Sequence, residues 1–439
     1  MRRFFALLIL VLTGAFLYAA GAAWARVYID VTQPFSRKLP LAMPAFVPLE
    51  GAPADALGKK GHGTLSSDLT FTGMFDILDP ASYLGAPQVG NINYRQWSRI
   101  GAELLITGNY KVSGNLLTME MRLYDVVEGR LLTGKHYDGV EADLPAMMHR
   151  FADDVMLAIT GERSVFSSVI AFVGARQGAK GVHKEIYFMN FDGSHVRQFT
   201  HRQDIALYPA WSRDGALLAY SAYRQRRPAV FVHSLAGGEG KLTVNQPGVN
   251  LTPCFVPGGN NLAVSMSYTG KTNIYVVDIA GKVVQQLTDG WGIEVAPSFS
   301  PDGRQMAFVS DRGGTPQIYV LEVASKALRR LTFGFKYCAA PAWSPRGDRI
   351  AFQAMNDGAF QVATVRLDGG DLQVLTSGWG GGEDPSWSPD GRLIAYSGRA
   401  TGNYQIYVMT AGGHPIRRLT SLPGDNTDPA WSPRGVAGK

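Results

Sequence analysis

Pro385-Ser-Trp-Ser-Pro-Asp-Gly391 repeats, with one change, the string Pro297-Ser-Phe-Ser-Pro-Asp-Gly303. Close variants run over Pro209–Gly215, Pro341–Gly347 and Pro429–Gly435, and a degraded copy over Pro253–Gly259. The opening prolines recur every 44 residues, and a fixed period of that length marks a repeat architecture. Each unit reads as four short strands. Pro-x-Trp/Phe-Ser is the first, and Asp-Gly makes the hairpin turn because glycine tolerates positive φ. Runs such as Leu393–Tyr396 and Ile406–Val408 are the second and third, and the fourth closes on Leu-Thr, as at Leu375-Thr376 and Leu419-Thr420. Four strands per unit describe a propeller blade.

Five complete units run from Pro209 to Asp428. Val169–Tyr208 holds strands two to four of another unit, and Pro429–Gly435 holds a first strand alone. The two fragments make one blade. The expectation is a six-bladed ring whose first blade is closed by the C-terminal strand, which removes the open sheet edges. A WD40 array would show Trp-Asp and Gly-His signatures, and a solenoid would show polar caps instead of a split repeat.

Residues 26–164 lack the period and read as an α/β domain, with 165–439 as the propeller. Leu41–Val47 is a strand candidate. Helical patterns cover Leu57–Thr72, Tyr94–Gly101 and Leu144–Ile159, and further strands are expected at Leu104–Thr107, Leu116–Tyr124 and Leu131–Tyr137. Ahead of this, Met1-Arg2-Arg3, an apolar stretch from Phe4 to Ala23 and the small-x-small Ala23-Trp24-Ala25 read as a signal peptide over 1–25. An uncleaved anchor is the alternative, because twenty apolar residues are long enough to span. Val27, Ile29 and Val31 alternate with polar neighbours, a strand-like segment within 26–35 that can add to a partner's sheet edge.

The composition narrows the function. The net charge of +6 is scattered among acids, which is no nucleic-acid footprint. Two cysteines exclude a disulfide scaffold or a Cys-rich zinc site. The eight histidines form no metal-spaced pair. Gly270-Lys271-Thr272 falls in a blade hairpin, the wrong context for a phosphate loop. A propeller-gated peptidase would need Gly-x-Ser-x-Gly on a hydrolase domain, and that motif is absent. The residues leading into each blade-opening proline vary while the strand after them does not, and in a propeller they converge on one mouth of the channel. They nominate Asp204, Tyr208, Asn250, Thr252, Glu294, Ala296, Tyr337, Glu383, Asp384 and Asp428 as partner-binding residues on a negative rim.

The order of signal peptide, small α/β domain and six such blades resembles the TolB family. Ser67-Asp-Leu-Thr-Phe-Thr-Gly-Met-Phe75 and Trp97–Gly108 carry the resemblance into the front domain, with Thr72 and Glu103 departing from the family pattern. The resemblance implies a monomeric periplasmic binding protein without catalysis or cofactor. Its propeller would bind the lipoprotein Pal, with other outer-membrane lipoproteins as further candidates, and its N-terminal segment at Val27, Ile29 and Val31 would engage TolA. The implied roles are outer-membrane integrity and envelope constriction during division. The competing reading is a peptide-binding or processing factor of the peptidase-like propeller class.

Overall fold

The computed structural model describes residues 38–49, 55–84, 92–178, 181–400, 402–414 and 416–433. The expected signal peptide 1–25 and the strand-like segment 26–35, with Val27, Ile29 and Val31, lie outside the described residues.

Six four-stranded antiparallel sheets form the propeller. Blade 1 combines Asn426–Trp431 with Val169–Gly178, Gly181–Asn190 and Arg197–Gln198. Asn426 pairs with Gly174 and Trp431 with Ile170, so the C-terminal strand closes the ring as the split repeat requires. The innermost strands of blades 2 to 6 are Ala206–Trp211, Asn250–Phe255, Glu294–Phe299, Cys338–Trp343 and Glu383–Trp387.

The repeat motifs explain the blade. At its opening, Ser300 Oγ donates to Asp302 Oδ1 at 2.6 Å, and the same oxygen accepts Arg304 N–H at 3.1 Å. Gly303 completes the turn at φ +72°, a region where a Cβ is costly. At its close, Thr332 Oγ1 accepts Ile318 N–H and donates to Gln317 Oε1, each at 2.9 Å. Gln317 Nε2 then donates to Phe335 O at 2.9 Å, in the connection leading to the next blade. Thr376 with Gln361, and Thr420 with Gln405, repeat this pattern and anchor Gly378 O and Leu422 O. The buried amides are thereby satisfied, which is what lets them be buried. Blade 2 replaces the pair with Ala229 and Val244, both buried.

The front domain holds β1 (Leu39–Ala42), β2 (Val47–Pro48), α1 (Ala56–Phe71), β3 (Phe75–Ile77), α2 (Tyr94–Arg99), β4 (Leu104–Ser113), β5 (Leu116–Asp125), β6 (Arg130–Gly139) and α3 (Leu144–Thr160). The sheet order is β3-β1-β4-β5-β6, with β2 beside β4. The single strand expected over Leu41–Val47 is broken in two. Pro44 falls in the break and has no N–H for the ladder. Asp55 caps α1 by accepting Leu57 N–H at 2.8 Å and Gly58 N–H at 3.1 Å, and Gly161 ends α3 at φ +78°.

The helices α1 and α3 bury Leu65, Leu69, Met148, Phe151 and Val155 in a core that continues into Phe172, Met189, Phe191, Leu393 and Trp431 of the propeller. The chain between the domains is held as well. Asp153 of α3 accepts Ser164 N–H and Ser167 N–H, each at 3.1 Å, and Ser164 Oγ donates to Asp390 Oδ2 at 3.1 Å. Asp390 belongs to the hairpin between the first two strands of blade 6. The front domain therefore sits on the hairpin face.

Candidate binding site at the channel mouth

Tyr208, Thr252, Ala296, Ala340, Asp384 and Asp428 occupy one equivalent position in the six blades, and all six take positive φ, from +48° to +56°. The pairing register of every innermost strand skips at this point, so each residue sits in a bulge just before its proline. Left-handed backbone at a non-glycine residue costs of order 1 kcal/mol or more and persists only where its surroundings enforce it. Here the enforcement comes from the preceding blade. Asp384 N–H donates to Gln353 Oε1 at 3.0 Å, Asp428 N–H to Ser397 Oγ at 3.1 Å and Ala296 N–H to Ser265 Oγ at 3.3 Å.

Charge gathers on one side of this ring. Burial raises the Asp384 carboxyl well above its ordinary value, with Asp428 and Glu383 adding to the rise. Burial likewise raises Asp428, and Glu383 contributes against the opposing influence of Thr427 and Lys184. Burial and then these two aspartates push the Tyr208 hydroxyl up to about 12. Glu383 accepts Tyr404 Oη–H at 2.6 Å, and that bond is the main cause that pushes the tyrosine up to about 12.

Five of the residues nominated from sequence, Tyr208, Thr252, Ala296, Asp384 and Asp428, thus share the ring, and Glu383 adjoins it. Ala340 completes it and was missed, although the 44-residue spacing marks it. Asp204 and Tyr337 lie exposed in the connections leading into blades 2 and 5, with Tyr337 edge-on to Phe360 at 5.4 Å.

Two nominations need correction. Asn250 is fully buried, and its amide donates to Gln246 O at 2.8 Å and Pro228 O at 3.1 Å. Glu294 is also fully buried and forms an ion pair with Arg312. Both residues brace the mouth from within and are not open to a partner. The expected rim of acids thus loses Glu294 but keeps the exposed Asp204, and further carboxylates line the channel wall of blades 6 and 1. Asp390, in the Asp-Gly turn of blade 6, holds the domain junction.

The most exposed apolar side chains on this face were not nominated. Trp291 and Trp379 are each 90% exposed and Phe333 is 64% exposed. They lie in the connections leading into blades 4, 6 and 5 respectively.

On the hairpin face, a cleft of about 310 Å³ lies between α1 and blade 6, lined in part by Ser67, Phe71, Val408, Met409 and Arg417. Leu39 N–H donates to Met74 O at 2.8 Å, three residues beyond the end of α1. Among the described residues, no group of three or more His, Cys, Asp or Glu is placed to hold a metal ion, and no helix is long and apolar enough to cross a membrane.

Comparison with known proteins adds sequence and structural relatives. A family model described as the TolB beta propeller domain matches residues 157–435, and one described as the TolB amino-terminal domain matches 27–132. The Tol-Pal system protein TolB of Desulfosudis oleivorans is 40% identical over 236 residues, covering 52% of this chain and 53% of that protein. Its counterpart in Syntrophotalea carbinolica is 39% identical over 220 residues, 49% of each. The chain thus spans about half the length of the curated relatives it matches. The crystal structure of TolB from Acinetobacter baumannii superposes with a TM-score of 0.80 at 26% identity, over 91% of this chain and 97% of that one.

Proposed function

The chain belongs to the TolB family, and from that premise we propose that it is a non-enzymatic interaction protein of the Tol–Pal system, working in the periplasm. Its channel mouth binds the lipoprotein Pal, and its N-terminal segment engages TolA. The observation that carries this reading is the division of the propeller's two faces. The front domain covers the hairpin face, while the other mouth presents a ring of six backbone-strained residues bordered by exposed aromatics. Rigid rings with variable connections are where binding residues sit. Linking an outer-membrane lipoprotein to an inner-membrane partner would serve outer-membrane integrity and constriction at division.

The N-terminal segment has two docks in this reading. One is a sheet edge of TolA, reached by strand addition. The other is the cleft between α1 and blade 6, whose α1 end lies three residues from Met74, the partner of Leu39. Whatever favours one dock shifts the population from the other.

The test is a binding assay on the chain from Arg26, with the soluble domain of Pal and the periplasmic domain of TolA as separate probes. Pal is expected to bind the chain with or without residues 26–32, and TolA only when they are present. TolA binding unaffected by that deletion would remove the N-terminal role, and no Pal binding by the intact chain would remove the docking role.

A further inference from the structure

The three connections that lead into blades 4, 5 and 6 differ in kind from the other three. The first set carries Trp291, Ile293, Phe333 and Trp379, exposed by 90%, 56%, 64% and 90%. The second set, residues 421–425, 201–205 and 245–249, exposes no large apolar side chain; His201, Gln203, Asp204, Asn245 and Asp425 face solvent there. Blades 4, 5 and 6 are consecutive, so the apolar residues form one arc over half of the mouth. Lys271 Nζ lies 3.6 Å from the centre of the Trp291 ring and the Arg330 guanidinium 4.8 Å from that of Phe333.

The size of the arc points to a protein partner. Large aromatic side chains bury roughly 150–250 Å² each, so the three rings alone offer about 450–750 Å². That matches or exceeds the roughly 300–600 Å² of the largest apolar patch on a typical monomer. It also approaches the ~800 Å² that one partner contributes to a standard interface. An extended peptide threaded along the axis would touch the ring residues and leave Trp291 and Trp379 in water.

We infer that this arc anchors the partner, which docks off the propeller axis over blades 4 to 6. The inference rests on the proposed docking of Pal at the mouth and specifies how that docking is built. The occupant is a folded protein domain that presents an apolar patch with a basic side chain at its edge. The apolar patch covers the arc. The basic group faces Glu383 at the end of the arc, where Asp384 and Asp428 continue the negative charge into the channel.

Calorimetric titration of the full chain with the soluble domain of Pal tests this. The variants are Trp291→Ala, Trp379→Ala, the double variant, and His201→Ala with Asn245→Ala on the polar half. Side chains this exposed can be truncated without unfolding the protein, and an unchanged melting temperature verifies it. The double variant is expected to bind about 30-fold more weakly, the size of an ordinary hot spot, and the polar-half variants within about twofold of the parent. Parent-like affinity of the double variant would overturn the arc and leave docking at the mouth intact. No binding by the parent chain would remove the docking reading and the arc with it. Two further measurements expose other occupants. Loss of self-association in sedimentation, or of binding to anionic lipid vesicles, in a double variant that keeps its Pal affinity would assign the arc elsewhere and overturn the inference.

Discussion

Trp431 donates its indole N–H to Ser168 Oγ at 2.7 Å, a bond between positions 263 residues apart. It ties the last described strand to the start of blade 1 and fastens the ring at its seam. Trp431→Phe removes one buried hydrogen bond and part of the ring packing in the core, so it is expected to cost about 1–3 kcal/mol, seen as a lower midpoint in denaturant. Truncation before Asn426 is expected to do far more, leaving Val169–Gly178 as an unpaired edge and the protein prone to aggregate. Cooperative melting of the truncated chain at the parent temperature would count against the closure.

Glu294→Ala is expected to destabilise the protein by roughly 1–3 kcal/mol, because it empties a fully buried position and removes the partner of Arg312, which keeps its bond to Ser310 Oγ and some access to solvent. Asp204→Ala, at an exposed site in the same face, is expected to stay within about 0.5 kcal/mol. Chemical denaturation of the two variants separates the buried brace from the solvated rim. Equal effects would mean that the ion pair is not structural.

Asp384→Asn is expected to raise the melting temperature at pH 7. The carboxyls of Asp384 and Asp428 both have folded pKa values above the ordinary 3.8. Each therefore takes stability away as pH rises through its folded value. Asparagine removes one of the two charges and tolerates left-handed backbone. The gain should close as pH falls below the ordinary 3.8, where the acids are protonated in both states. A variant less stable than the parent at pH 7 would contradict the shared burial of charge.

His149 Nδ1 lies 2.8 Å from Asp68 Oδ2, with both groups buried and the imidazole edge-on to Phe191 of blade 1 at 5.2 Å. Burial alone would lower the histidine pKa. The hydrogen bond and charge of Asp68, with Asp192 and Asp153 beyond it, outweigh burial and leave it raised. Burial raises Asp68 despite its partner. Both shifts have the same consequence, because a raised folded pKa contributes stability at low pH that is lost as pH rises through it. The window for His149 opens at its ordinary value near 6.5. The melting temperature should therefore fall as pH rises above 6.5, and His149→Gln should flatten that slope. A slope unchanged in the variant would show that the pair is not the titrating group.

Cys254 and Cys338 are free, and burial pushes both thiols up to about 11. Alkylation should be slow in the native protein and reach two equivalents once it is denatured, without reductant. Fewer than two would indicate a bridge.

The fold was legible because the proline spacing, the Ser-Pro-Asp-Gly turn and the closing Leu-Thr each have a local physical cause. The binding site was legible only in part. The residues before each proline read as loops, yet the innermost strands begin there, two residues ahead of the ring in five blades and one in blade 6. The bulge then breaks the alternation of faces. Asn250 and Glu294, two positions before Thr252 and Ala296, turn inward for that reason. The arc was hidden for a different reason. Trp291 and Trp379 are the same residue type as the interblade tryptophans Trp387 and Trp431, which are 7% and 6% exposed, and composition cannot separate the two kinds. Phe335, at the corresponding position of the intervening unit, packs edge-on to Phe352 at 6.3 Å.

The amide that ties a connection to its own blade in three of the six units gives those parts of the mouth a modular grammar. Gln317 and Gln361 each hold one connection by one carbonyl and Gln405 holds its connection by two, and each is fixed by its own blade's closing threonine. A change in one connection is absorbed by its own clasp and need not pass to the next. Substitutions in different connections should then add, so partner preference can be rewritten one segment at a time, and a connection transplanted between relatives should carry its contacts with it.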